Sequence, residues 1–200
     1  MLKEANIFPI VRRGVPGVYM YDIFEREADF PDADMNQLRI AFKLKKDKFH
    51  FMSISDSRQG VMPTAEDREA GRSHVLAYKE AVDDKYQYSE ESKDNKLHGW
   101  ILDDDTVGFW VITPSNEFRT GAPHKQELTS HVGPTALSMF VSGHYAGNDM
   151  DTFYQKGNPW KKEFGPVFIY LNSASPDQNH GYRDTLWNDA KRQLSEEIGS

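Results

Sequence analysis

The chain has 200 residues, a formal net charge of -7 and no cysteine, which rules out disulfides, thiolate metal sites and cysteine nucleophiles. Its 38% hydrophobic and 28% charged content is a globular balance, with length enough for one core. The acidic excess, with no long Lys/Arg tract, argues against nucleic-acid binding, and no run of about 18 apolar residues occurs that would span a membrane.

The opening segment MLKEANIFPIVRRGVPG lacks the positive start, apolar centre and small-residue cleavage site of a secretion signal, so the chain as written carries no expected export address. The first clear element is GVYMYDIF, residues 17–24, aromatic and β-branched between Pro16-Gly17 and an acidic loop; it predicts a strand. LRIAFKL then places Ile40, Phe42 and Leu44 on one face at period two, KKDK supplies a turn, and FHFMSIS resumes the alternation. Together these predict a β-hairpin. Residues 56–84 are polar, contain Gly and Pro and hold no sustained period, so they read as a long excursion with at most a helical turn.

Short strand-like runs follow: KYQYS, LHGWIL, VGFWVITPS, then the Gly/Pro-punctuated FRTGAPHKQELTSHVGP, TALSMFVS and GPVFIYLNS. Their density predicts an all-β domain. The tail RDTLWNDAKRQLSEEIGS is different, because Leu186, Ala190, Leu194 and Ile198 recur every four residues behind a capping Asp184 or Thr185. That pattern predicts one C-terminal amphipathic helix.

None of the seven histidines forms a close ligand pair, G-x-S-x-G is absent, and the lysine of GAPHKQ has no phosphate-loop frame around it. His124, His131 and His144 are spaced loosely, so no metal site is expected. The run TALSMFVS ends abruptly in Gly-His-Tyr-Ala-Gly; if it is a strand, Ser138, Phe140 and Ser142 share a face that His144 continues. A lone histidine there is more often structural than chemical. Arg39, Lys85, Arg119, Lys125 and His144, each beside aromatics or glycines, nevertheless suit one chemistry together. They fit abstraction of a proton next to a carboxylate in an acidic sugar, where a cation neutralises the carboxylate, a base takes the proton and an acid protonates the leaving oxygen.

Five segments carry a resemblance: LRIAFKLKKDKFHFMSISDSRQ, DDKYQYSEESKDNKLHGWI, VGFWVITPSNEFRTGAPHKQELTSHVGPT, FVSGHYAG and WKKEFGPVFIYLNS. In order, from about Gly14 to about Arg192, they resemble the plant branch of the rhamnogalacturonan lyases, polysaccharide lyase family 4. The resemblance implies an incomplete galactose-mutarotase-like β-sandwich, with residues 1–200 forming a single, partial catalytic domain. On this resemblance the fibronectin-type-III-like and carbohydrate-binding domains of the family are expected to be absent from the chain. It implies an endolyase that cleaves the rhamnose-galacturonate backbone of rhamnogalacturonan I in pectin by β-elimination, without a metal or other cofactor, and an extracellular, cell-wall setting.

By local context the resemblance places the catalytic pair on Lys85 and His144 and a substrate-contacting arginine on Arg39. Lys125 competes with Lys85 for the role of base, and Arg119, Lys125 and Tyr145 complete the expected substrate-binding set. Tyr86, Tyr88 and Trp100 are further stacking candidates for which core packing is the stronger reading. Two other functions compete: an inactive truncated homologue that at most binds pectic polysaccharide, and, by fold analogy alone, a sugar epimerase.

Overall fold

The computed structural model describes residues 4–62, 89–91, 95–104, 106–115, 125–127, 134–142, 152–175 and 182–199. In chain order the strands are β1 (Glu4–Ile10), β2 (Gly17–Arg26), β3 (Ala33–Met35), β4 (Gln37–Lys43), β5 (Phe49–Ser55), β6 (Arg58–Val61), β7 (Ser89–Glu91), β8 (Leu97–Leu102), β9 (Val107–Ile112), β10 (Lys125–Glu127), β11 (Thr135–Ser142), β12 (Thr152–Tyr154) and β13 (Trp160–Ser173). Among the described residues one helix, α1 (Tyr182–Gly199), follows them. Seven strands form an antiparallel sheet in the order β1-β2-β13-β9-β8-β5-β6, and three two-stranded ribbons, β10-β7, β11-β4 and β12-β3, complete the strands.

Alternation along the central strands sorts their side chains to two apolar layers. On one face, Met52 and Ile54 of β5, Trp100 of β8, Val111 of β9, and Val167 and Ile169 of β13 pack against Met35, Leu38, Ile40, Ala136, Phe140 and Val141 of the ribbons. This is the interior of a β-sandwich, as the density of short strands predicts. On the other face, Ile101, Trp110, Ile112, Phe168 and Tyr170 meet Leu186, Trp187 and Ala190 of α1. The expected helix is therefore present, though it begins at Tyr182 and carries Asp184 inside its first turn. Leu186 and Ala190 of the expected stripe are buried, and Ile198 is exposed.

Polar side chains fix the helix to the sheet. Asn172 accepts from Trp110 Nε1 at 2.7 Å and donates to Leu186 O at 2.8 Å and to Asp189 Oδ2 at 2.9 Å. The Tyr170 hydroxyl donates to the same Asp189 oxygen at 2.6 Å. Farther along, Trp187 Nε1 and Lys191 Nζ both donate to Asp56 Oδ1, and Tyr19 donates to Glu197. Gly165 interrupts β13 at φ 123°, where a side chain's Cβ would sit 2.7 Å from the Met20 carbonyl; only glycine adopts that backbone beside a neighbouring strand without strain.

Two expectations need correction. The hairpin predicted over residues 38–55 does not form: β4 pairs with β11, whereas β5 pairs with β6 and β8 in the large sheet. The KKDK segment carries the chain from one layer of the sandwich to the other. Both strands do direct their apolar faces inward, Ile40 from one layer and Met52 from the other, which is why the alternation is correct and the pairing is not. The excursion expected from residue 56 opens instead with a paired strand, β6; its continuation from 63 to 84, and most of KYQYS, lie outside the described residues.

Candidate functional site

The alternation of β4 presents two different surfaces. Leu38 and Ile40 are buried in the sandwich, whereas Arg39, Ala41 and Lys43 are exposed on the opposite side. Among the described residues Arg39 has neither an ion-pair nor a hydrogen-bond partner, so its guanidinium is available to an external anion.

Antiparallel pairing then brings the end of β11 to this strand, with Met139 opposite Arg39 and Ser142 opposite Gln37. The chain entering Gly-His-Tyr-Ala-Gly thus leaves the sheet two residues along β4 from Arg39. The register shifts between Met139 and Val141, and Phe140 and Val141 both enter the core. This bulge corrects the expectation that Ser138, Phe140 and Ser142 form one continuous alternating face.

β10, which begins with Lys125, packs beside β11. It pairs with β7 so that Lys125 stands opposite Glu91 and Glu127 opposite Ser89, four residues after Lys85 in the sequence. The described backbone therefore brings both the strand of Arg39 and the ribbon of Lys125 to the strand that leads to His144. Lys85, His144, Arg119 and Tyr145 themselves lie outside the described residues, as do His124, His131, Tyr86 and Tyr88. Trp100 is fully buried, with its Nε1 donating to Thr135 O at 2.9 Å, so it is a core residue and not a stacking surface.

Beneath β11 lie polar groups that sequence reasoning did not single out. His98 is 1% exposed; its Nδ1 lies 2.8 Å from Asn95 Oδ1, and its Nε2 accepts from Leu137 N at 3.3 Å. Ser138 and Thr113 share a hydroxyl contact at 3.3 Å. The alternation Leu-His-Gly-Trp was the available signal, since it sends His98 to the same face as Trp100. Elsewhere, His50 Nδ1 lies 2.8 Å from Asp103 Oδ2 beside a shallow pocket lined by Asp47, Lys48, Leu102 and Asp104. Among the described residues no group of three or more His, Asp or Glu side chains is arranged to hold a metal.

Comparison with known proteins gives two findings. Residues 6–94 match the model of the rhamnogalacturonate lyase family, a span that contains Arg39 and Lys85. A rhamnogalacturonate lyase of Dickeya dadantii (strain 3937) is 22% identical over 175 residues, covering 83% of this chain and 28% of that protein. The chain thus spans little more than a quarter of the length of the relative it matches.

Proposed function

We propose, on the premise of membership in the rhamnogalacturonan lyase family that both matches support, that this chain carries a polysaccharide-lyase site for the rhamnose-galacturonate backbone of rhamnogalacturonan I. The observation that carries the reading is the exposed Arg39 on β4, without an ion-pair or hydrogen-bond partner among the described residues and beside the strand end that runs on to His144.

β-Elimination next to a uronate needs three things. A cation must hold the carboxylate as charge builds on it, a base must remove the proton at C5, and an acid must meet the oxygen that leaves C4. Arg39 supplies the first, with a bidentate fork that matches a carboxylate. Lys85 in its neutral form takes the C5 proton, and the C–H electron pair becomes the C4–C5 double bond as the C4–O4 bond breaks. His144 delivers its proton to the departing rhamnose-linked oxygen. A neutral lysine requires a depressed pKa, and a nearby guanidinium works in that direction. Lys125 is the alternative base, with Arg119 and Tyr145 as further substrate contacts; the galactose-mutarotase-like sandwich and an extracellular pectic setting belong to the same proposal.

The test is incubation of the purified chain with rhamnogalacturonan I while following ultraviolet absorbance of the unsaturated uronate. Lys85→Ala and His144→Ala should each lower the rate by about 100-fold or more, the upper range for loss of a positioned acid or base. Arg39→Lys should be impaired less than Arg39→Ala. A Lys125→Ala variant that is silent while Lys85→Ala retains activity would exchange the two lysines. Saturable oligosaccharide binding with no unsaturated product would favour a non-catalytic pectin binder.

A further inference from the structure

Among the described residues β11 is hydrogen-bonded as a strand to β4 alone, so its buried backbone groups that point away from β4 need other partners. Thr135 through Ser138 are all buried, and a buried N–H or C=O without a partner is costly. At Thr135 and Leu137 those partners are two side chains from one face of β8. Trp100 Nε1 donates to Thr135 O at 2.9 Å, and His98 Nε2 accepts from Leu137 N at 3.3 Å. Thr113, just beyond β9, adds the hydroxyl contact to Ser138.

The histidine's protonation pattern follows from these partners. An amide N–H can only donate, so Nε2 must present its lone pair to Leu137. The ring proton then lies on Nδ1, where it donates to Asn95 Oδ1 at 2.8 Å. Asn95 precedes β8 by two residues, so the β8 entrance holds the ring in the tautomer that β11 requires. Such an arrangement fixes β11 laterally, at the Leu137 end of the bulge that precedes Ser142.

We propose that His98 is a positioning residue: held by Asn95 in its Nδ1–H tautomer, it clasps the Leu137 amide and sets where β11 delivers the chain beyond Ser142. In its catalytic consequence this rests on the lyase reading, since His144 follows Ser142 by two residues; in its structural content it stands on the contacts alone.

The experiment compares His98→Gln, which keeps an acceptor where Nε2 stands, with His98→Asn, which keeps a polar group toward Asn95 and withdraws the acceptor from Leu137. Trp100→Phe removes the second clasp independently. Amide exchange is read by NMR at Leu137 and, as a reference for global opening, along β13. In His98→Asn, Leu137 should exchange about 10-fold faster relative to β13, the loss of one hydrogen bond, while His98→Gln stays near wild type. In Trp100→Phe the Leu137 amide should be accelerated less than in His98→Asn. Nitrogen shifts of the wild-type ring should report a protonated Nδ1 and a bare Nε2. With rhamnogalacturonan I as substrate, His98→Asn should lower kcat by about 10-fold or more with KM little changed, as expected for misplacement without lost binding, and His98→Gln should restore it. Leu137 exchange that moves only in step with β13, or a glutamine variant as impaired as the asparagine one, would overturn the proposal. If wild-type protein yields no unsaturated product, the lyase reading fails, and the exchange comparison still decides the clasp.

Discussion

Two aspartates show how the same side chain can favour opposite pH ranges. Asp22 on β2 is 3% exposed, and its Oδ1 has no hydrogen-bond partner. It shares the inward face of β2 with Met20, Phe24 and Arg26, and Arg26 is already committed to the carbonyls of Phe30, Pro31, Gln155 and Asn158. Burial pushes the Asp22 carboxyl above its ordinary pKa. A group whose folded pKa is raised binds its proton more tightly when folded, so its contribution is fullest below the ordinary aspartate range and is lost as pH rises through the folded pKa. Asp22→Asn, which removes the buried charge, should therefore stabilise the protein near neutral pH, and the gain should shrink toward acid. Denaturant melts across pH would show this, and a gain that persists unchanged in acid would contradict it. For Asp189, burial pushes upward, but hydrogen bonds from Tyr170, Asn172 and Arg192 together hold its carboxyl below the ordinary range. Its contribution is present above the ordinary aspartate range and is lost as pH falls through the lowered folded value.

At the scale of elements, α1 depends on that carboxylate. Asp189→Ala leaves the Tyr170 hydroxyl without its acceptor and the Asn172 amide with Leu186 O in place of two acceptors, so it should cost about 1–3 kcal/mol. Arg192→Ala should cost far less, because its pairs with Asp189 and Glu196 are surface contacts; equal losses in thermal or denaturant melts would refute this division. The helix was legible from its four-residue apolar spacing, yet Trp187 and Lys191, which both reach Asp56, fall off that spacing. Strand faces were legible in the same way. Alternation at Leu38, Ile40, Met52 and Ile54 states which side is buried, but not which strand is the partner, so the β4-β5 connection looked like a hairpin and is a crossing between layers. β1 escaped notice because EANIFPI has no period-two pattern and contains Pro9, which suits an edge strand. The bulge in β11 had no sequence signature, and it is what ends the simple extrapolation toward His144.

For the whole molecule, one sheet serves two purposes: α1 covers one face, and the ribbons that carry Arg39 and lead to His144 cover the other. The buried His98 and Trp100 join those layers without a strand pair. Arg39 was legible as a candidate from its cation-in-a-strand context and from resemblance, and the structure adds that it faces outward without a partner among the described residues. His98 was not legible, because its role depends on a β8-β11 contact between residues 39 positions apart. β1 leaves Ile7, Phe8, Ile10 and Val11 exposed at the edge of the sheet, an apolar margin unlike the polar β4 face.

Elimination differs from hydrolysis in the mass of what it releases. Mass spectrometry of rhamnogalacturonan I oligosaccharides after incubation with the chain tests the lyase reading most directly. New non-reducing ends should be one water lighter than hydrolysis would give, each bearing a 4,5-unsaturated galacturonate and disappearing in Lys85→Ala and His144→Ala. Products that have taken up water, or intact oligosaccharides at every enzyme concentration, would contradict it.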